Sequence, residues 1–164
     1  MAFEIFVSYS TSDLGSVEAL RDLLSNSGIK VFVAEYSIKP SENLSTTLTA
    51  AVKRCDLFMV LWSKNAKNSE WVMQEIGQAK ALNKKILPLV LDEKLDLPGF
   101  IQDLKYLSVF KGHDEALRQA QEIVMAEFRA KKDAEQRAER ERSNKQALAF
   151  FGVGALLLWA TKQK

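Results

Sequence analysis

The sequence predicts an α/β fold built on a five-stranded parallel sheet with helices on both faces. Two observations support this prediction. Five short runs of β-branched, aromatic and aliphatic residues alternate with segments whose apolar residues recur at helical spacing. This alternation is typical of βαβ units. The apolar runs are nearly continuous, as expected for strands that are buried on both faces.

The first half of the predicted sheet comes from residues 5–9 and 29–33. Residues 10–13 follow the first strand and supply hydroxyls and a carboxylate that can cap the start of a helix. Gly28 is expected to end that helix, because glycine is favoured just beyond a helix C-terminus. A polar loop over residues 35–43 follows the second strand.

The second half of the predicted sheet comes from residues 57–62, 86–91 and 106–110. A helix over residues 69–82 follows the third strand. Pro88 donates no ladder hydrogen bond, so it predicts a bulge or an edge position in the fourth strand. Two further helices are predicted from one-sided apolar residues: Leu44, Leu48, Ala51 and Val52 before the third strand, and Leu117, Ala120, Val124 and Phe128 after the fifth.

Right-handed crossovers make a flavodoxin-like open sheet the natural arrangement of these elements. In such sheets ligands bind beyond the carboxyl ends of the strands. The segments expected at that edge are residues 10–13, 35–43 and 63–71.

Composition excludes several classes of function. A net charge of +2 gives no case for binding nucleic acid. One cysteine, Cys55, permits no intramolecular disulfide and favours a reducing, cytoplasmic location. One histidine, His113, leaves little for a Ser-His-Asp triad or a His-rich metal site. We expect no signal peptide, because a strand-like run follows Met1 almost at once. The sequence has no P-loop, GxGxxG, CxxC or HExxH motif.

The C-terminal part differs in composition from the rest of the chain. Residues 129–145 are strong helix formers without an apolar face, which predicts a charged helical linker. Residues 147–160 are wholly apolar, fourteen in number, against the roughly 17–25 of a normal membrane span. Lys145 and Lys162 flank them and can extend outward. We expect residues 146–161 to form a transmembrane anchor that leaves the domain on the cytoplasmic side of the inner membrane; the alternative is an interfacial or oligomerising helix.

Trp71 and Glu75 form the candidate active site. They are four residues apart on the predicted helix 69–82 and therefore share one face of it. The plain alternative is that Trp71 packs in the core and Glu75 is solvated. The position of the helix favours an active site over this alternative, because the helix follows a strand at the ligand-binding edge of the sheet. Glu35 is expected at the same edge. A carboxylate beside an aromatic ring can stabilise an oxocarbenium-like transition state.

Several of these segments resemble motifs of Toll/interleukin-1 receptor (TIR) domains of the bacterial type. They are the first strand at residues 6–9, the loop at residues 34–40, the helix start at residues 69–75 and the fourth strand at residues 86–89. The resemblance covers residues 3–128 and implies a TIR domain over residues 1–128.

The resemblance also implies a function. Many bacterial and plant members cleave NAD at the nicotinamide–ribose bond, and some cyclise the ADP-ribose, often in antiviral defence. In those enzymes the Glu that matches Glu75 is essential, and the Trp that matches Trp71 lines the site. Retention of Glu75 favours an NAD glycohydrolase that gives nicotinamide and ADP-ribose or a cyclic isomer. Ser10, Thr11 and Glu35 are then expected to contact the rest of the substrate.

NAD is a substrate in this interpretation, and the chemistry requires no metal or other cofactor. Family members are active when assembled, so the resemblance implies a homo-oligomer held by contacts between TIR domains. The alternative function is a non-enzymatic scaffold that acts by self-association, as in animal receptor adaptors, and recruits other TIR proteins through the loop at residues 35–43.

Overall fold

The computed structural model describes residues 2–25, 29–33 and 43–161, and the side chains of Ser25, Leu44 and residues 147–161 lie outside this description. Five parallel strands form one sheet in the order β2-β1-β3-β4-β5. The strands are β1 (Phe3–Ser8), β2 (Ile29–Phe32), β3 (Leu57–Trp62), β4 (Lys85–Val90) and β5 (Leu107–Ser108). The predicted five-stranded parallel α/β fold is confirmed.

The α-helices in the described part are α1 (Leu14–Ser25), α2 (Leu44–Arg54), α3 (Lys64–Lys67), α4 (Glu70–Ala81) and α5 (His113–Thr161). Polar side chains begin three of them. The Asn43 side chain accepts from the Thr46 amide before α2, that of Ser63 from the Ala66 amide before α3, and that of Ser69 from the Val72 amide before α4. Each cap satisfies one of the amides that the first turn of a helix leaves unpaired.

Three phenylalanines stack across the first three strands of the sheet. Phe6 on β1 is paired in register with Phe32 on β2 and with Phe58 on β3. Its ring lies 5.3 Å from each of theirs, and the planes are within 13° of parallel. In-register parallel pairing causes this stack, because it places equivalent side chains at the same level on neighbouring strands about 4.8 Å apart. All six residues of β3 are buried, so the centre of the core lies on this strand.

The structure corrects several details of the sequence-based elements. Pro88 lies in unbroken register opposite Val60 on an interior strand, without a bulge. Proline is accommodated there because β5 pairs with β4 only at Leu89 and Val90. The fifth strand is correspondingly shorter than predicted, and Val109–Lys111 form a 3-10 turn after it.

Helix α5 begins at His113 and buries Ala116, Ala120 and Val124. Leu117 and Phe128, which the spacing also predicts to face inward, are half-buried. The short helix α3 was not predicted, because four residues give no periodicity to detect. Residues 11–13 form a 3-10 turn before α1 rather than its first turn. Gly28, the predicted helix end, lies outside the described residues.

The chain divides into two compact units, Met1–Met125 and Ala126–Lys164. The second unit contains the greater part of helix α5, and in it the side chains of residues 136–146 are exposed. Among the described residues, none of the helices combines the length and the apolar character that a membrane crossing needs. The division into a domain at 1–128, a linker at 129–145 and an anchor at 146–161 stays a prediction.

Truncation of the central aromatic stack is expected to be costly. Phe58 is fully buried, so Phe58→Ala should lower the free energy of unfolding by about 3–5 kcal/mol through lost burial and the cavity left behind. Phe100 is 43% exposed, and Phe100→Ala should cost less than about 1 kcal/mol. Urea unfolding followed by tryptophan fluorescence measures both. Similar losses for the two variants would contradict the assignment of the core to β3.

Candidate active site

The carboxyl ends of β1 and β3 lie side by side at the point where the strand order reverses. The chain leaves β1 toward β2 on one side of the sheet, and it leaves β3 toward β4 on the other. Such a switch point opens a crevice beyond the strand ends, which is where ligands bind in open α/β sheets. The residues that immediately follow these strands therefore line the candidate site.

Buried polar side chains gather at this edge of the sheet. In the described part of the chain three polar or charged side chains are buried, namely Ser8, Ser63 and Glu75. Ser8 ends β1, Ser63 follows β3, and Glu75 lies in the second turn of α4. Burial of a polar group is unfavourable unless a partner compensates for the lost water, so each of these side chains is expected to be hydrogen-bonded.

Glu75 receives a hydrogen bond from the end of β1. The Ser8 hydroxyl donates to Oε2 of Glu75, with 2.5 Å between the two oxygens. A distance this short is typical of a hydroxyl bonded to a charged carboxylate. Glu75 is 8% exposed as a residue, so its side chain is buried rather than extended into water.

Trp71 lies one turn before Glu75 on the same helix and is 49% exposed. The ring is therefore not a core side chain. A half-exposed indole offers an apolar surface on which a flat aromatic group can stack. Trp71 and Glu75 start from the same face of the helix, because residues four apart lie on one face.

A second hydrogen-bonded cluster ties together the segments that follow β1 and β3. Asp13 Oδ2 accepts from the Ser63 hydroxyl at 2.5 Å, and Asp13 Oδ1 accepts from the Asn65 side-chain amide at 2.9 Å. Ser63 also caps α3 through the Ala66 amide. The turn after β1 is thus tied to the start of α3 at the carboxyl edge of the sheet.

The predicted site residues have different positions in the structure. Ser10 is half-buried and Thr11 is exposed, and both follow β1 at the same edge as Glu75. Glu35 lies outside the described residues, as does the loop at 35–42. Sequence analysis did not single out Ser8, although a hydroxyl among the apolar residues of a predicted buried strand was a visible signal.

Cys55 is remote from this site. It follows the last residue of α2 and lies two residues before the start of β3, and therefore at the opposite, amino edge of the sheet. Burial raises the pKa of its thiol, which disfavours the nucleophilic thiolate. The Cys55 thiol donates a hydrogen bond to the Val52 carbonyl, which gives the thiol a structural role. The described residues contain no group of three or more His, Cys, Asp and Glu that could hold a metal ion.

The chain belongs to the TIR domain family, because residues 5–124 match the family model described as "TIR domain". The fold agrees with this assignment. The TIR domain of the Toll-related receptor TRR-2 from Hydra magnipapillata is similar with a TM-score of 0.62 and 18% identity, over 74% of this chain and 97% of that domain. The CMP N-glycosidase BcmB of Clostridium botulinum is similar with a TM-score of 0.53 and 23% identity, over 71% of this chain and 97% of that enzyme.

One relative is detected by sequence. It is described as a probable 2′ cyclic ADP-D-ribose synthase, BdTIR, from Brachypodium distachyon. The two proteins are 26% identical over 106 residues, which cover 62% of this chain and 47% of the plant protein. The chain therefore spans about half the length of this relative.

The cluster centred on Asp13 is expected to stabilise the domain. Asp13→Ala removes both hydrogen bonds and leaves the buried Ser63 hydroxyl without its acceptor, so the free energy of unfolding should fall by about 1–3 kcal/mol. Asp22→Ala is the matched control, because that carboxylate is 72% exposed and pairs with its neighbour Arg21. The control should change stability by less than about 0.5 kcal/mol. Equal effects in urea unfolding would show that the Asp13 cluster does not brace the turn.

Proposed function

We propose that this TIR domain is an NAD glycohydrolase that cleaves the nicotinamide–ribose bond. The observation that carries the proposal is the buried Glu75 carboxylate, hydrogen-bonded to Ser8, at the switch point of the sheet and one turn from the exposed Trp71 ring. The description of BdTIR as a probable 2′ cyclic ADP-D-ribose synthase supports the same class of substrate.

The chemistry requires an anion beside the ribose. As the bond from C1′ to the nicotinamide nitrogen breaks, its electron pair leaves with neutral nicotinamide and positive charge develops on the ribose. The Glu75 carboxylate stabilises this charge, and it does so strongly because it is held away from water. A water oxygen then bonds to C1′ and loses a proton, which gives ADP-ribose. Attack by an oxygen of the same ADP-ribose would instead give a cyclic isomer.

Other residues at the edge would hold the rest of the substrate. The Trp71 ring offers a stacking surface for the nicotinamide, and its exposure leaves that surface open to a ligand. Ser10 and Thr11 would contact the ribose and phosphates from the turn after β1, and Glu35 would contribute from the loop after β2. No metal takes part in these steps. A second copy of the chain would complete the site, in line with the assembly of TIR domains.

Replacement of the Glu75 carboxylate by an amide is the direct test of this proposal. Glu75→Gln keeps the shape of the side chain and removes its charge, so nicotinamide release from NAD should fall by at least about 100-fold. Glu70→Gln is the matched control, because Glu70 is an exposed carboxylate in the first turn of the same helix. It should stay within about twofold of wild type, as expected of a surface change.

The assay uses the full chain over a range of protein concentrations, with and without lipid vesicles, and nicotinamide is measured by chromatography. Release that persists in Glu75→Gln would refute the assignment of the carboxylate. A wild-type protein that releases no nicotinamide under any of these conditions would favour the scaffold function instead.

Membrane attachment through residues 146–161 is a separate proposal, and the sequence alone supports it. The apolar run at residues 147–160 lies between Lys145 and Lys162. An anchor would raise the local concentration of the domain and so favour its assembly. Full-length protein should then stay with the membranes after a carbonate wash, whereas a chain ending at residue 145 should not. Recovery of the full-length protein in the soluble fraction would exclude the anchor.

A further inference from the structure

Ser8 is placed more rigidly than the carboxylate it contacts. It is the last residue of β1 and 1% exposed, and its backbone is paired in register with Val60 of β3. A hydroxyl at such a position has little freedom beyond rotation about one bond. The Glu75 side chain instead reaches the crevice from a helix through three rotatable bonds, of which the last is soft.

The bond between them restricts the longer side chain. The Ser8 hydroxyl donates to Oε2 of Glu75 at 2.5 Å, across 67 residues of sequence. A donor held by the sheet determines where one oxygen of the carboxylate lies and thereby limits rotation of the whole group. Charge stabilisation in a site depends on such placement, and a misplacement of about 1 Å can cost about 100-fold in rate.

We propose that Ser8 is a positioning residue that orients the Glu75 carboxylate toward the ribose of the substrate. This inference rests on the proposed glycohydrolase function, and it assigns Ser8 no contact with NAD. The bond joins a strand to a helix that follows a different strand, so it also couples the geometry of the site to the packing of α4 on the sheet.

Three substitutions at one position separate orientation from packing. Ser8→Ala removes the donor with almost no change in volume and is expected to lower kcat at least about tenfold while KM is nearly unchanged. Ser8→Thr keeps the hydroxyl on a residue that strands favour and is expected to retain most of kcat. Ser8→Cys keeps the size with a weak donor and should also lose kcat, which preserves the test if Ser8→Ala does not fold.

Ser108→Ala is the matched control. Ser108 also ends a strand, but β5 lies three strands from β1, or about 14 Å at the usual strand spacing. Its loss should leave kcat and KM unchanged. Thermal melts of all variants confirm that each protein measured is folded.

The outcomes distinguish this inference from the proposed function. An active wild type with an equally active Ser8→Ala overturns the inference alone, and so does a folded Ser8→Thr that falls to the level of Ser8→Ala. A wild type that releases no nicotinamide overturns the proposed function together with the inference that rests on it. Loss of kcat in Ser8→Ala and Ser8→Cys, with activity restored in Ser8→Thr, supports the positioning role.

Discussion

Parallel pairing of β1 with β3 brings Phe6 against Phe58 and places Ser8 beside Val60 in the middle of the sheet. The aromatic stack and the site both depend on this pairing. It produces the switch point, because the chain leaves the two strands in opposite directions. The register of this pairing also fixes the position of the Ser8 hydroxyl along the strand direction. This position must coincide with that of the second turn of α4 for the hydroxyl to reach Glu75.

The buried polar side chains of the described residues lie at this same edge of the sheet. Their polarity distinguishes the candidate site from the rest of the buried core, which is apolar. A buried carboxylate contributes little to stability, since its partner only offsets the loss of water. The proposed glycohydrolase function gives its presence at the ligand edge a reason that folding alone does not supply. Because one fold hosts many functions, TIR family membership by itself does not decide between enzyme and scaffold. The proposal of an enzyme rests on the environment of Glu75.

Much of the fold was predictable from local patterns. The four longer strands and the helix with Trp71 and Glu75 follow from apolar runs and helical spacing. The predictions that were wrong depend on the elements packed beside a residue. Pro88 fits a regular interior strand because β5 is too short to pair with it there. Leu117 is half-buried because the face of α5 that packs is centred on Ala116, Ala120 and Val124. A one-dimensional pattern contains neither the length of a partner strand nor the rotation of a helix.

The sequence by itself determined the α/β class, the succession of strands and helices along the chain, and the resemblance to the family, since these depend on residue type, spacing and periodicity. It also identified Glu75 as the candidate catalytic group. Only the tertiary structure decided that Glu75 is buried, that its donor is Ser8, and that Asp13 joins Ser63 and Asn65. The reason is physical: these contacts join residues 50 or more positions apart, and only the packing of strands and helices brings them within hydrogen-bond distance.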